Sequence, residues 1–335
     1  ATEVVVQALR IGDVAIATTP TETYALTGLK LKLQSPLPQT MVIELANGGD
    51  GYIPPPEQHD LGGYNTWAAR SAGLEVQAEP KIVAAALELL ETVSGQPRKE
   101  YRQTRGPLAE AVMAAQPVAY WRLDEFAPLQ ALDSSKQGRH AAYERGVVYF
   151  LEGPQSEQFC EDGETNRAAH FAGGRLRTQV SQLGERYTVS LWSGNGMPVD
   201  ARSMAGWMFS RGPNEGLSAT SEHLGLGGTE HPGKLVYQQG DTAAGGTVAA
   251  GKTEIARWTW NHVAIVRDGN QVRVYLNGKS EPEIETTVAE SAGPAGELFF
   301  GGRSDNAANW EGRLDEIAVF DRPLSADDVE GLAGQ

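Results

Sequence analysis

Cysteine is nearly absent. Cys160 is the only one in 335 residues, which excludes an internal disulfide framework and any cysteine-rich zinc site. A single thiol suits a secreted chain. No uninterrupted run of about 18 apolar residues offers a membrane-spanning helix, and no segment has the layout of a signal peptide. Positive charge is short: 28 Lys and Arg stand against 43 Asp and Glu, a net charge of −15. Such a field repels polyphosphate and argues against nucleic acid as a partner. Neither a Gly-x-Ser-x-Gly elbow nor a His-Glu-x-x-His run occurs, so a self-contained hydrolase of those types is excluded. Fixed-period repeats and low-complexity tracts are missing too. What is present, 40% apolar and 21% charged residues, is enough to build real cores. The length is about twice the ~150 residues of one domain, so two are expected. The chain opens at Ala1, not Met, in a strand-like run, from which a processed or truncated piece of something longer is expected.

Along the first hundred residues, strand and helix signals alternate. Residues 4–8 and 14–18 are β-branched runs separated by Gly12-Asp13, a hairpin pattern. A helix is expected from Pro20-Thr21, with Leu26, Leu29 and Leu33 on one face. A strand over 41–45 empties into the loop Asn47-Gly48-Gly49-Asp50-Gly51. From 80 to 93, Ile82, Val83, Ala86, Leu87 and Leu90 recur at helical spacing. This is an α/β or α+β pattern, more plausible as the tail of a domain than as a whole one. Polar residues 94–105, with Arg98, Lys99, Arg102 and Arg105, read as a solvated linker, and 108–115 as one short helix.

From Pro117 the pattern changes to short alternating runs punctuated by Gly, Asn and Asp: 119–123, 168–171, 187–192, 206–210, 234–238, 261–267, 271–276, 297–301 and 314–320. Asp268-Gly269 is a hairpin turn. So many strands with almost no helix predict an antiparallel sandwich or jelly roll.

Four stretches in this half carry a resemblance: Pro117-Val118-Ala119-Tyr120-Trp121-Arg122-Leu123-Asp124-Glu125, Trp260-Asn261-His262-Val263-Ala264, Val274-Tyr275-Leu276-Asn277-Gly278, and Gly312-Arg313-Leu314-Asp315-Glu316 through Asp321-Arg322-Pro323-Leu324-Ser325. In this order they resemble a laminin-G-like, concanavalin-A-like lectin/glucanase domain over about 117–335. The resemblance implies a two-sheet jelly roll, usually an extracellular binding or spacer module, with calcium at the rim in some members. Asp133 and Asp315 are the positions to test for calcium, each with a plainer reading: an Asx turn for Asp133 and an edge carboxylate for Asp315. His262 reads better as a hydrogen-bonded packing residue than as a ligand. Trp207, Tyr237 and Trp310 are candidate stacking faces for sugar, although a sandwich core absorbs such rings readily. The Glu-x-Asp-x-x-Glu run of the glucanases is absent, so glycosidase chemistry is not expected.

In the first half, Ala8 to Ile16 leads to Pro20-Thr21-Glu22-Thr23. Then come Ala46-Asn47-Gly48-Gly49-Asp50-Gly51-Tyr52-Ile53-Pro54-Pro55-Pro56-Glu57 and Gly62-Gly63-Tyr64. This resembles the C-terminal part of the amidase domain of neutral (alkaline, non-lysosomal) ceramidases. The resemblance implies Glu22 and Tyr52 as zinc ligands and Tyr64 as the catalytic tyrosine beside the scissile amide. Thr21 stands where the family has glycine, and Pro54-Pro55 where it has paired threonines, which puts ceramide specificity in doubt. The family's two zinc histidines lie upstream; here His59 is the only histidine of the first region. Taken singly, Glu22 also reads as a helix-start carboxylate and Tyr52 as a packing ring.

The expected organisation is therefore an α/β (or α+β) C-terminal part of an amidase domain over 1–95, a linker with a short helix over 96–116, and an all-β antiparallel jelly roll over 117–335. Two functions follow. One is the C-terminal portion of a secreted, periplasmic or cell-surface zinc amidase, completed by an upstream chain or segment and carrying a lectin-like module for a carbohydrate or lipid-amide ligand. The other is a non-enzymatic carbohydrate-binding, adhesion or assembly protein with a degenerate amidase remnant.

Overall fold

The computed structural model of the chain describes residues 3–49, 51–70, 73–104, 106–126, 130–161, 164–180, 183–289 and 297–334. Asp50 of the glycine-rich loop and Arg105 of the linker lie outside the described residues. Two compact units emerge, Ala1–Gln103 and Thr104–Gln335.

In the first unit, β1 (Gln7–Ile11) and β2 (Val14–Thr18) form an antiparallel hairpin with Ile11 opposite Val14. Gly12 turns the chain at φ +61°, the left-handed conformation such a tight turn demands. A two-residue turn pairs the residues that flank it, so the first strand begins at Gln7 rather than at residue 4. β2 then pairs in parallel with β4 (Gln39–Ile43) across the crossover helix α1 (Ala25–Gln34). That helix starts later than its leucine spacing predicts. Residues 22 and 23 are taken by β3 (Glu22–Thr23), which pairs in parallel with β5 (Tyr52–Ile53). The helix buries Thr27 and Leu31, while Leu26, Leu29 and Leu33 are only half-buried. α2 (Pro56–Leu61) follows β5, and α3 (Ala78–Ser94) carries the stripe expected of it. Val83, Ala86, Leu87 and Leu90 pack with Ala15, Ala17, Leu31 and Leu37 against one face of the sheet. The opposite face of the sheet is also apolar. Leu9, Ile16 and Met41 are register partners across its three strands, yet Leu9 is 55% and Met41 53% exposed.

The second unit begins with α4 (Pro107–Ala114) and is a sandwich of two eight-stranded sheets. The first runs β19 (Ile284–Thr287), β18 (Gln271–Leu276), β17 (Trp260–Asp268), β12 (Arg186–Asn195), β21 (Glu311–Phe320), β10 (Arg167–Ala172) and β9 (Val147–Glu152), with β6 (Ala119–Trp121) paired to β21. The second runs β16 (Thr247–Ala250), β15 (Leu235–Gln239), β14 (Glu222–Gly227), β13 (Met204–Gly212), β20 (Glu297–Phe300), β11 (Leu176–Thr178), β8 (Ala141–Tyr143) and β7 (Gln130–Ala131). All of these pairings are antiparallel. The hairpin at Asp268 pairs that residue with Gln271, so the turn residues are Gly269 and Asn270. α5 (Ala326–Leu332) starts at a capping box made by Ser325 and Asp328. Its Val329 and Leu332, with Val112 of α4, cover Ala264, Val266, Ala318 and Phe320 of the first sheet. At the sandwich centre Glu222 accepts from the hydroxyls of Tyr187 and Tyr237 at 3.0 and 2.8 Å and pairs with Arg267 at 2.7 Å.

Candidate functional site

In the first unit, Glu22 and Tyr52 are direct partners in the two-strand β3–β5 ribbon. Partners in register project from the same side of a ribbon, so the carboxylate and the phenol lie side by side. Gly62 (φ +77°) and Gly63 (φ +114°) then turn the chain to bring Tyr64 back. Its hydroxyl donates to the Tyr52 hydroxyl at 3.3 Å, and the two rings meet edge to face at 5.3 Å. The hydrogen bond with Tyr64 and then the Glu22 charge raise the Tyr52 pKa above the usual tyrosine value, which keeps that phenol protonated. Tyr24 stands close by, its hydroxyl accepting from Asn65, and burial raises its pKa. His59 of α2 lines a small cleft with Tyr52. Glu22 and Tyr64 are exposed and Tyr52 half-buried, so the group is open to an incoming molecule. Among the described residues no three His, Cys, Asp or Glu side chains gather as a metal site. Zinc takes four ligands, and oxygen donors from carboxylate and phenol suit it. Glu22 and Tyr52 would supply zinc with two of those four ligands.

The second unit places the remaining sequence candidates differently. Trp207 and Trp310 are 1% exposed and Tyr237 is 0%. All three rings are buried and offer no face to a sugar, which corrects the expectation: the Tyr237 hydroxyl is held by Glu222 between the sheets, and Trp207 packs against His223 and Arg303. Alternation within a strand sets two faces, and which of them looks inward is decided only when the sheets stack. Asp133 accepts backbone N–H groups from Tyr120 at 3.0 Å, Ser135 at 2.9 Å and Arg139 at 2.9 Å, the Asx-turn geometry. Burial pushes its pKa up, but the Ser135 and backbone hydrogen bonds outweigh that and hold it low. Asp315 is no edge carboxylate: it is fully buried on β21, accepting from Asn166 at 2.6 Å and from the Glu316 N–H at 2.9 Å. Burial, then the Glu316 charge, raise its pKa. His262 is buried against Ser190 at 2.8 Å.

A sandwich with this strand order, closed by a short capped helix, is matched at the level of sequence. Residues 172–330 fit the profile of the concanavalin A-like lectin/glucanases superfamily. This stretch is a concanavalin A-like domain. Comparison with curated protein sequences yields no match. Among solved structures, domain 4 of AbnA, a GH43 extracellular arabinanase from Geobacillus stearothermophilus solved with arabinotriose, is 20% identical over 65% of this chain and 98% of its own, with a TM-score of 0.44. The binding domain of Paraclostridial Mosquitocidal Protein 1 is 15% identical over 66% of this chain, with a TM-score of 0.45. A Trypanosoma rangeli sialidase mutant displaying trans-sialidase activity is 14% identical over 69%, with a TM-score of 0.49. The chain spans 52% and 35% of the latter two. The profile match lies within the second unit.

One aromatic group that sequence reasoning passed over lies in this concanavalin A-like domain. Trp258 is 70% exposed, the most open large hydrophobic side chain among the described residues. The legible signal was Arg257-Trp258-Thr259-Trp260, two tryptophans two apart at the mouth of a strand.

Proposed function

We propose that the first unit is half of a zinc-dependent amide-hydrolase site, completed by two histidines from a polypeptide segment outside this chain, and that the second unit is a glycan- or surface-binding module of a secreted, periplasmic or cell-surface protein. The observation that carries the first part is the meeting of Glu22, Tyr52 and Tyr64, drawn from three separate stretches, on one open side of the β3–β5 ribbon. The apolar outer face of the β1–β2–β4 sheet supports it: among the described residues, nine of the thirteen exposed large hydrophobic side chains belong to the first unit, with Leu9, Ile11, Met41 and Ile43 on this face, as expected of a layer whose other half is another polypeptide. Glu22 and Tyr52 would hold the zinc, which would supply a water that ionises near neutral pH. Tyr64, whose hydroxyl already reaches Tyr52, is the donor available to the oxygen of a bound amide. With Thr21 and Pro54-Pro55 at the departing positions, the amide is not assigned to ceramide.

Native mass spectrometry of the purified assembly, with zinc read on the same sample, tests this reading. This 35.9 kDa chain, a second polypeptide and one zinc are expected, and Glu22→Gln should remove most of the metal. A bare monomer without zinc, or full zinc in the Glu22→Gln assembly, overturns it. The fold of the second unit and its exposed Trp258 favour the binding-module part independently. Calcium at Asp133 or Asp315 is a lesser proposal, since it would displace the hydrogen bonds those carboxylates already accept. A rise in Tm on adding millimolar calcium is its measurement.

A further inference from the structure

On the outer face of the first sheet of the second unit, away from the α4 and α5 cover, one row of residues crosses four strands. His170 on β10, Arg313 on β21, Gly194 on β12 and Trp260 on β17 are successive register partners. Adjacent strands lie about 4.8 Å apart, so the backbones of Arg313 and Trp260 stand roughly 10 Å from each other, and the missing side chain at Gly194 leaves a slot between Arg313 and the Trp260 ring. Nothing in the backbone calls for glycine there: a Cβ at Gly194 would meet only the Trp260 ring, at 3.6 Å, an ordinary contact. Glycine inside a strand often marks the close approach of something else.

Trp258 stands over this slot. Its φ of +66° is in the left-handed region, strained for a bulky residue, and its ring is mostly in water. Burial therefore does not explain its position. Its neighbours hold it there: its N–H donates to the Asn195 carbonyl at 3.0 Å, and the ring edge rests on Gly196. Arg257 lies 4.5 Å from the ring centroid while its Nε donates to the Gly196 carbonyl at 2.7 Å. Strain held in place at an exposed aromatic ring points to a ligand. Arg313 is anchored likewise, Nη1 donating to the Glu152 carbonyl at 2.5 Å.

We propose that this slot binds one sugar ring of a glycan, its C–H face stacked on Trp258 and its hydroxyls met by His170, Thr259 and Arg313. The proposal deepens the binding-module reading and rests on it. Three features select the ligand. The open cleft holds about 140 Å³, well under the 300–1,000 Å³ typical of sites that enclose a whole small molecule, so it fits one unit of a longer chain. Aromatic faces beside hydroxyl, imidazole and guanidinium groups match a ring that is apolar on its face and polar around its edge. Two guanidinium groups at the slot disfavour a cationic guest, which separates this site from an aromatic cage for ammonium groups. Burial and then Arg313 lower the His170 pKa, so at neutral pH the ring both donates and accepts, as a hydroxyl requires.

The test is isothermal titration calorimetry on the full chain with a panel of hexasaccharides, neutral (arabino-, cello- and manno-) and acidic (oligogalacturonate). At least one should bind, and both Trp258→Ala and Gly194→Ala should weaken it by about tenfold or more. The alanine at 194 fills the slot without a clash, which separates loss of the site from loss of the fold. Binding that is unchanged in both variants overturns the slot and leaves the binding-module reading standing. A wild-type chain that binds nothing in the panel overturns both.

Discussion

His262 and His223 show how far burial alone moves a side chain's chemistry. Each is fully buried, with one ring nitrogen 2.8 Å from a serine hydroxyl, Ser190 and Ser210 respectively. Burial pushes both pKa values down to about 3, helped at His223 by Arg303. An unfolded histidine titrates near 6.5. Between about pH 6.5 and 3 the unfolded chain therefore takes up protons that the folded chain refuses, and stability falls as pH falls. His262→Gln removes one of these protonation sites, so the Tm advantage of wild type over the variant should shrink from pH 7 to pH 4. A constant difference would place the titration elsewhere. Sequence reasoning had His262 as a hydrogen-bonded packing residue, because a strand position beside Trp260 and Val263 favours the interior. It had no means to find Ser190, which comes from a strand 72 residues away.

At the scale of elements, the sandwich is fastened across its two sheets by Glu222 of β14 and Arg267 of β17, 2.7 Å apart and 1% and 0% exposed. Arg267→Met removes the nearer of two cations, Arg211 remaining 3.6 Å from the same Glu222 oxygen; about 3 kcal/mol should be lost in denaturant unfolding. The double variant Glu222→Gln with Arg267→Met should recover part of that loss, and a double variant worse than the single would refute the ion-pair account. Gly225→Ala belongs here too. Its Cβ would come within 2.3 Å of the Gly206 carbonyl, so the β13–β14 pairing must open and Tm should fall by several degrees. Two of the elements that sequence reasoning misplaced were moved by pairing partners. β1 slid toward its turn, and α1 gave up residues 22 and 23 to a strand paired with residues 52 and 53. Periodicity is local and carries no knowledge of such partners.

At the scale of the molecule, the two units differ in how completely they cover themselves. The second buries most of its large aromatic rings within itself, so residues 104–335 alone should unfold in one cooperative thermal transition. Non-coincident transitions by fluorescence and circular dichroism would show that it leans on something else. The first unit leaves the row Leu9, Ile16 and Met41 across an open sheet face. Met41→Lys should make the chain more soluble and abolish its assembly with a zinc-sharing polypeptide. A variant that still assembles would move the joining surface elsewhere.

The sequence by itself determined the hairpin at Gly12-Asp13, the buried stripe of α3, the succession of short strands in the second unit and the concanavalin A-like stretch. These rest on signals written locally: alternation, turn chemistry and short motifs. Tertiary structure alone decided that Trp207, Tyr237 and Trp310 lie inside while Trp258 lies outside, and that Gly194 opens a slot between Arg313 and Trp260. The facing of a strand is set by neighbours far along the chain. β12 lies between β17 and β21, and only that stacking determines which of its two faces meets the core and which meets water.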